Sequence, residues 1–212
     1  FMMGASLLFI ALAFTGQFGA WQALILLAAL SYVLFDAFRQ ARAHRKETAL
    51  AQVEEEEVEG VDPDMPGWQI FVFLVLGLVG LPLGADLLVD NASVIARQYG
   101  VSETVIGLTL VAVGTSLPEL ATTVMAALRR QADVALGNVI GSNMFNLLAI
   151  VGVASLVGPI PVAREFLTFD LWVMLGASLL LVPFVFMGWN ITKRWGIALT
   201  TMYVAYLAIV IF

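Results

Sequence analysis

One carboxylate stands among small and hydroxylated residues in the middle of an apolar stretch. Glu119 closes the sequence GTSLPE, residues 114–119, inside a hydrophobic segment that we predict over 102–128. A charged side chain at bilayer depth is costly unless it faces a protein interior or a water-filled cavity. The position of this acid therefore predicts a functional site.

Oxygen-bearing side chains recur around Glu119 at helical spacing. Thr115 lies four residues before it on the same helix face, and Ser116 lies at the edge of that face. The next apolar segment carries Ser142 and Asn146, also four residues apart. Carboxylate, hydroxyl and amide oxygens are hard ligands, which suit Na⁺ or Ca²⁺ better than soft metals.

A purely structural interpretation exists for several of these residues. Serine and threonine in membrane helices often bond back to a carbonyl of the preceding turn, and small residues let helices approach closely. The pair Gly137 and Gly141 fits such a packing role, and the hydroxyl of Ser142 fits either interpretation. A lone carboxylate at mid-membrane is harder to explain structurally, so Glu119 carries the functional prediction.

Composition places the chain among membrane proteins. Hydrophobic residues make up 61%, charged residues 12%, and the mean hydropathy is +0.95, outside the usage of soluble domains. Cysteine is absent, which excludes disulfide frameworks and thiolate metal sites. No nucleophile–base pair or HExxH pattern indicates an enzyme, and no feature indicates binding to nucleic acid.

Seven hydrophobic segments are predicted from the length that a helix needs to cross the hydrocarbon core. The first is short, and no basic leader precedes it, so we expect the chain to begin inside a larger protein. The segments lie at about 1–14, 20–38, 68–96, 102–128, 133–157, 167–188 and 195–212.

The hydrophilic segment 39–66 separates the second and third apolar segments. It opens with basic residues, carries seven of the sixteen acidic residues between Glu54 and Asp64, and is predicted to be a largely disordered connector after a helical turn or two. With seven crossings, eight of the ten Lys and Arg residues fall on one side. The positive-inside tendency therefore places 39–66 in the cytoplasm and the C-terminus outside.

The first two segments resemble the last two. GASLLF at 4–9 recurs as GASLLL at 176–181, and the match continues through three further pairs. Because the two copies start on opposite sides, they predict an inverted-topology repeat, which is common in secondary transporters. The matched pairs are Gly16 with Gly188, Trp21 with Trp195, and Tyr32 with Tyr206.

GTSLPE followed by GNVIGSNMFN resembles the second α-repeat of the sodium/calcium exchanger family, in its prokaryotic form. The resemblance implies an all-α membrane protein of ten helices in two inverted halves. It assigns 1–38 to the last two helices of the first half, 39–66 to a cytoplasmic loop, and 67–212 to the second half with its α-repeat at 102–157. The other half of the site is then expected upstream, on the same or a separate chain.

The family's ion ligands, transferred by motif position, form one set on each segment. Asn146 stands where many relatives carry Asp, which leaves the ion stoichiometry and any K⁺ dependence open. The transferred residues are Ala112 through its carbonyl, Thr115, Ser116, Glu119, Ser142 and Asn146.

The resemblance implies an antiporter that exchanges Ca²⁺ for Na⁺ by alternating access, with these ions as cargo and no organic cofactor. Its expected partners are the lipid bilayer, the transported cations and the other half, in a prokaryotic inner membrane. Three alternatives stay open: a Ca²⁺/H⁺ exchanger of the same superfamily, a channel, against which the paired motifs argue mildly, and a fragment that does not transport because half its ligands are missing.

Overall fold

The structure is a computed structural model that describes residues 1–51, 65–101, 103–106, 109–110 and 112–211. It is mainly helical, and residues 109–110, Asn146–Ile150 and Phe166–Asp170 have π-helical geometry. The α-helices are α1 Met2–Ala13, α2 Ala20–Ala51, α3 Gly67–Gln98, α4 Glu103–Ile106, α5 Ala112–Thr115, α6 Leu117–Leu128, α7 Ala132–Phe145, α8 Val151–Val157, α9 Leu171–Leu180, α10 Val182–Phe186 and α11 Lys193–Ile211.

Four helical stretches among the described residues are long and apolar enough to cross a membrane: Ala20–Ala43, Gly67–Gln98, Ala132–Val157 and Phe166–Phe186. The described chain is therefore mainly helical with four candidate membrane spans, which confirms the helical part of the predicted fold class. Met2–Ala13 and Leu117–Leu128 are shorter apolar helices. The count of seven crossings and the ten-helix inverted architecture stay predictions.

The predicted segment 102–128 is not one helix. Its described residues form α4, a π-helical pair at 109–110, α5 and α6, and Ser116 separates the last two. The companion segment behaves differently, because α7 runs without interruption through 137–143 and changes to π geometry only at Asn146. Both GTSLPE and the glycines and amides of 137–146 suggest a helix break in the sequence, but α7 continues through the second and only GTSLPE, which contains Pro118, interrupts its helix.

The basic part of the connector is more helical than predicted. The helix α2 continues through Ala51, more than three turns beyond residue 38 at about 3.6 residues per turn. The acidic part of the connector, residues 52–64, lies outside the described residues. In α3, Pro82 lies inside the helix without ending it.

The chain divides into two compact units, and each is described by itself. The first unit comprises Phe1–Glu57 and Val139–Trp189. Its core centres on α1, where Phe9 stacks on Phe18 with ring centroids 4.8 Å apart. Leu148 from the π-helical segment is fully buried in the same core.

A short antiparallel pairing of β1 (Gln17–Phe18) with β2 (Ile160–Pro161) closes one end of the first unit. The buried Gln22 secures the loop before α2. Its Nε2 donates to Thr15 Oγ1 at 2.9 Å and to the Gln17 carbonyl at 2.7 Å, and its Oε1 accepts from Gly19 N–H. Buried amides need such partners, because an unpaired one costs about 1–3 kcal/mol.

The second unit comprises Val58–Asn138 and Asn190–Phe212. Within it α3 packs against α4, α5 and α6. At the end of α3, Arg97 binds Glu103 through two bonds, Nε to Oε1 at 2.6 Å and Nη2 to Oε2 at 3.0 Å. This pair is exposed, so it orients the start of α4 more than it stabilises the fold.

Residues 129–131, between the predicted segments 102–128 and 133–157, form the turn that joins α6 to α7. Gln131 N–H donates to the Ala126 carbonyl at 2.9 Å and Arg130 N–H donates to the Ala127 carbonyl at 3.0 Å. These two bonds define a Schellman motif, whose left-handed position is usually glycine. Here Arg130 occupies it with φ 57°, so the turn forms despite a side chain that disfavours it.

The glycines paired by the sequence repeat share an unusual backbone conformation. Gly16 follows α1 with φ 89°, and Gly188 follows α10 with φ 67°. L-residues rarely adopt this region, whereas glycine does so without steric strain. The shared conformation is what two copies of one helix–turn–helix unit would produce, and it supports the predicted repeat.

We expect Gly16→Ala to lower the free energy of unfolding by about 1 kcal/mol, because its φ places a Cβ in the left-handed region. The space around it is open, so strain of the backbone is the only expected cause. Gly4→Ala is the control, since Gly4 lies in the helix α1, also in open space, where alanine is favoured. Chemical unfolding in detergent, followed by tryptophan fluorescence, measures both; equal stability of the two variants would contradict the assignment.

Candidate cation-binding site

The helix break at Ser116 sets the position of Glu119. Pro118 is the second residue of α6, where the missing N–H does little harm. Ser116 to Glu119 also matches the capping-box spacing, in which the serine and glutamate would satisfy each other's backbone N–H groups. The box does not form: Ser116 makes no side-chain cap bond, and its N–H donates to the Val113 carbonyl at 3.1 Å.

The carboxylate of Glu119 is consequently left without a protein partner on one oxygen. Its Oε2 is buried, and no hydrogen-bond donor of the described chain reaches it. An unpaired buried carboxylate oxygen is expensive in a medium of low dielectric constant. The side chain also lies in the first turn of α6, where the helix dipole favours negative charge. A cation is one partner that a carboxylate oxygen of this kind can take.

Two further predicted ligands lie next to each other in the turn before the break. The Thr115 hydroxyl donates to the Ala112 carbonyl at 3.1 Å. This bond is the backbone contact that the structural interpretation expects. It also fixes the hydroxyl proton on one oxygen, so that the lone pairs of Thr115 Oγ1 remain available to a cation. Ser116 is exposed, and its carbonyl accepts from Leu120 N–H at 2.9 Å.

Gly114 lets α5 approach α3 closely. A Cβ atom built on Gly114 would overlap the Val89 Cγ2 atom of α3. The glycine of GTSLPE is therefore required by packing, at a point five residues before Glu119. By contrast, Gly137 and Gly141 have no atom of the described chain within 4 Å of an added Cβ, so the packing role predicted for them is not seen.

The second set of predicted ligands belongs to the first unit. The Ser142 hydroxyl donates to the Val139 carbonyl at 3.2 Å, again as the structural interpretation expects. Asn146 is exposed and begins the π-helical segment, where its carbonyl accepts from Val151 N–H five residues on. Single π-helical turns are rare and frequently lie at functional sites, and no residue pattern predicted this one.

The structure thus places Ala112, Thr115, Ser116 and Glu119 together around one helix break, and Ser142 with Asn146 on a separate continuous stretch. Sequence reasoning did not identify Asn138 as a residue that binds the helix turn of Glu119. Its side-chain Nδ2 lies 3.0 Å from the Glu119 carbonyl oxygen. Its place in the GN dipeptide of the second motif was the only signal available.

Apolar helices of membrane-spanning length are typical of an integral membrane protein. A carboxylate with one buried, unbonded oxygen, on a helix break that carries further oxygen atoms, makes this break a candidate cation site. The sequence profile described as sodium/calcium exchanger protein matches residues 69–212. Because that match covers most of the chain, the chain belongs to the sodium/calcium exchanger family, which comprises ion exchangers and not enzymes.

Individual relatives agree with this assignment. The chain is 46% identical to the sodium/calcium exchanger MaX1 of Methanosarcina acetivorans over 66% of this chain and 40% of the relative. It is 46% identical to a putative antiporter, CaxA, of Alkalimonas amylolytica over 57% of this chain and 38% of that protein. The chain spans about two fifths of the length of these curated relatives.

Solved structures of the sodium-calcium exchanger NCX_Mj share the fold. The one soaked with zero Na⁺ and Ca²⁺ matches with a TM-score of 0.68 and 31% sequence identity, over 97% of this chain and 63% of that chain. The family predicted from GTSLPE and GNVIGSNMFN is confirmed.

Gly114→Ala should lower the free energy of unfolding by about 1–3 kcal/mol, the usual cost of forcing extra volume into a packed contact. Adding Val89→Ala should restore most of the loss, because it removes the overlapping methyl group. Gly137→Ala, in open space, is the matched control and should not be destabilised. Unfolding in detergent measures all four proteins, and failure of Val89→Ala to rescue would show that the contact is not the cause.

Proposed function

We propose that the protein is an antiporter that exchanges Ca²⁺ for Na⁺ across a prokaryotic inner membrane by alternating access. The ions bind at mid-membrane to the carbonyl of Ala112 and the side chains of the transferred set. No organic cofactor takes part, because the cations are the cargo. The side-chain ligands are Thr115, Ser116, Glu119, Ser142 and Asn146.

One observation carries the proposal. Glu119 Oε2 is buried without a donor from the described chain, in a protein whose relatives include a sodium/calcium exchanger. A cation that supplies the missing partner offsets the cost of the buried charge. The neighbouring oxygens of Ala112 and Thr115, already within 3.1 Å of each other, are suited to complete a hard-ion coordination shell.

Coupling between the two ions follows from competition for the same carboxylate. Ca²⁺ and Na⁺ both neutralise Glu119, so one load excludes the other. An empty site leaves the acid uncompensated in a low dielectric, which disfavours the change between outward-facing and inward-facing states. Each change between the two states then requires a bound ion. Ca²⁺ transport in one direction is therefore coupled to Na⁺ transport in the other.

The remaining parts of the proposal concern topology. Segment 39–66 is cytoplasmic and the C-terminus lies outside, by the distribution of basic residues. An inverted half, on the same or a separate chain, supplies an equivalent set of ligands. The long helix α3 and its counterpart slide past the site to switch access.

Glu119→Gln should reduce Na⁺-gradient-driven Ca²⁺ uptake at least about tenfold, because the charged ligand that both ions need is lost. The measurement is Ca²⁺ uptake into proteoliposomes that contain the full-length protein. Glu103→Gln is the matched control: the same substitution at an exposed carboxylate should leave uptake near that of the unchanged protein. Uptake by Glu119→Gln at the control rate would refute the proposed role.

The same vesicles separate sodium coupling from proton coupling. Ca²⁺ uptake is expected under an imposed Na⁺ gradient and not under a pH gradient alone. The opposite result would make the protein a Ca²⁺/H⁺ exchanger, with Glu119 carrying the proton.

Asn146→Asp should lower the apparent KM for Ca²⁺ about fivefold, because affinity for this ion rises with the number of charged ligands. The matched variant Asn146→Ser keeps an oxygen without the charge and should show no such gain. Initial rates of uptake over a Ca²⁺ series measure both. An unchanged or higher KM in Asn146→Asp would remove Asn146 from the ligand set.

A further inference from the structure

The side chain of Asn138 connects α7 to the helix that carries Glu119. Its Nδ2 lies 3.0 Å from the Glu119 carbonyl oxygen, 2.8 Å from Thr122 Oγ1 and 2.8 Å from Thr123 Oγ1. These acceptors are 15 to 19 residues away in the chain. The amides of Asn91 and Asn143 instead bond carbonyls of their own helices, four residues back.

The orientation of the Asn138 amide follows from its partners. A backbone carbonyl only accepts, so the NH₂ end must face Glu119. The hydroxyl of Thr122 donates to the carbonyls of Pro118 and Glu119 at 3.1 and 3.0 Å, which leaves its lone pairs to accept from Asn138. The amide thus reaches the same turn by two routes, directly and through Thr122.

The turn that receives these bonds has no cap of its own. Ser116 provides no side-chain cap, so the first turn of α6 is secured at Glu119 from outside the helix. The Schellman turn around Arg130 reverses the chain between α6 and α7, and this reversal brings Asn138 opposite Glu119. These features hold the backbone of Glu119 while its Oε2 stays unbonded.

We propose that Asn138 is a positioning residue: it fixes the Glu119 turn so that the carboxylate keeps its place for the cation. The inference rests on the proposed function and deepens it. In this assignment Asn138 acts through the Glu119 turn that its NH₂ group holds, and its Oδ1 is not one of the proposed ion ligands.

Asn138→Ala in the full-length protein should raise the apparent KM for Ca²⁺ about fivefold, the change expected from about 1 kcal/mol of lost hydrogen bonding. The maximal rate per inserted protein should change little. Asn91→Ala, which removes only a bond within its own helix, is the matched control and should leave KM unchanged. Adding Thr122→Val to Asn138→Ala should raise KM less than the two single effects combined, because both act on one turn.

A second measurement tests the bonds of Asn138 to the Glu119 turn without measuring transport. Deuterium uptake by peptides covering residues 116–123, in ion-free detergent solution, should rise in Asn138→Ala and not in Asn91→Ala. Unchanged KM or unchanged deuterium uptake in Asn138→Ala overturns the proposal, as does a loss of maximal rate with KM unaltered.

Asn138→Asp distinguishes positioning from coordination. It keeps the shape but removes the donor, so KM should rise at least as much as in Asn138→Ala; a KM below that of the unchanged protein would make residue 138 an ion ligand and overturn the assignment. If the unchanged protein shows no Na⁺-driven Ca²⁺ uptake, the proposed function fails and with it the positioning role, whatever the deuterium uptake shows.

Discussion

The constraint on which this site depends is the cost of a carboxylate oxygen that is buried and unbonded. The protein accepts that cost at Glu119, where the nearby serine could have formed a capping box and did not. Buried polar atoms without partners are rare in proteins and call for an explanation. A cargo ion that completes the shell is an explanation that also accounts for the neighbouring oxygens of Ala112 and Thr115.

The backbone carbonyl of Glu119 is hydrogen-bonded, whereas one oxygen of its side chain is not. Its carbonyl accepts from Asn138 and from Thr122, while its Oε2 accepts from no donor of the described residues. A site that must bind and release an ion benefits from this division, since the turn stays fixed and only the carboxylate changes partners. Preorganisation of this kind reduces the ordering that each binding event requires.

Much of the fold and part of the site could be predicted from the sequence. Apolar length located the helices that could cross the membrane, and the sequence GTSLPE located the break at Ser116. The repeat paired Gly16 with Gly188, whose shared left-handed conformation the pairing itself did not predict. These signals are local, since each depends on a residue type and its immediate neighbours.

The contact of Gly114 with Val89 and the bonds of Asn138 join residues that are distant in the chain, so no spacing rule could reveal them. Arg130 in a glycine position and the π turn at Asn146 run against local preference, and tertiary context decides such cases.

Charge balance explains why one such turn does not make a calcium site. Glu119 supplies a single negative charge, and the described residues contain no group of three or more acidic, histidine or cysteine side chains that could hold a metal. One carboxylate balances one Na⁺, whereas Ca²⁺ beside it would leave a net positive charge in a low dielectric. On the proposed function, a second carboxylate from the inverted half supplies the difference. Ca²⁺ would then bind only where both acids meet, while each Na⁺ needs just one. On the same proposal, a single divalent ion exchanges for more than one monovalent ion, and the neutral amide of Asn146 adds no third charge.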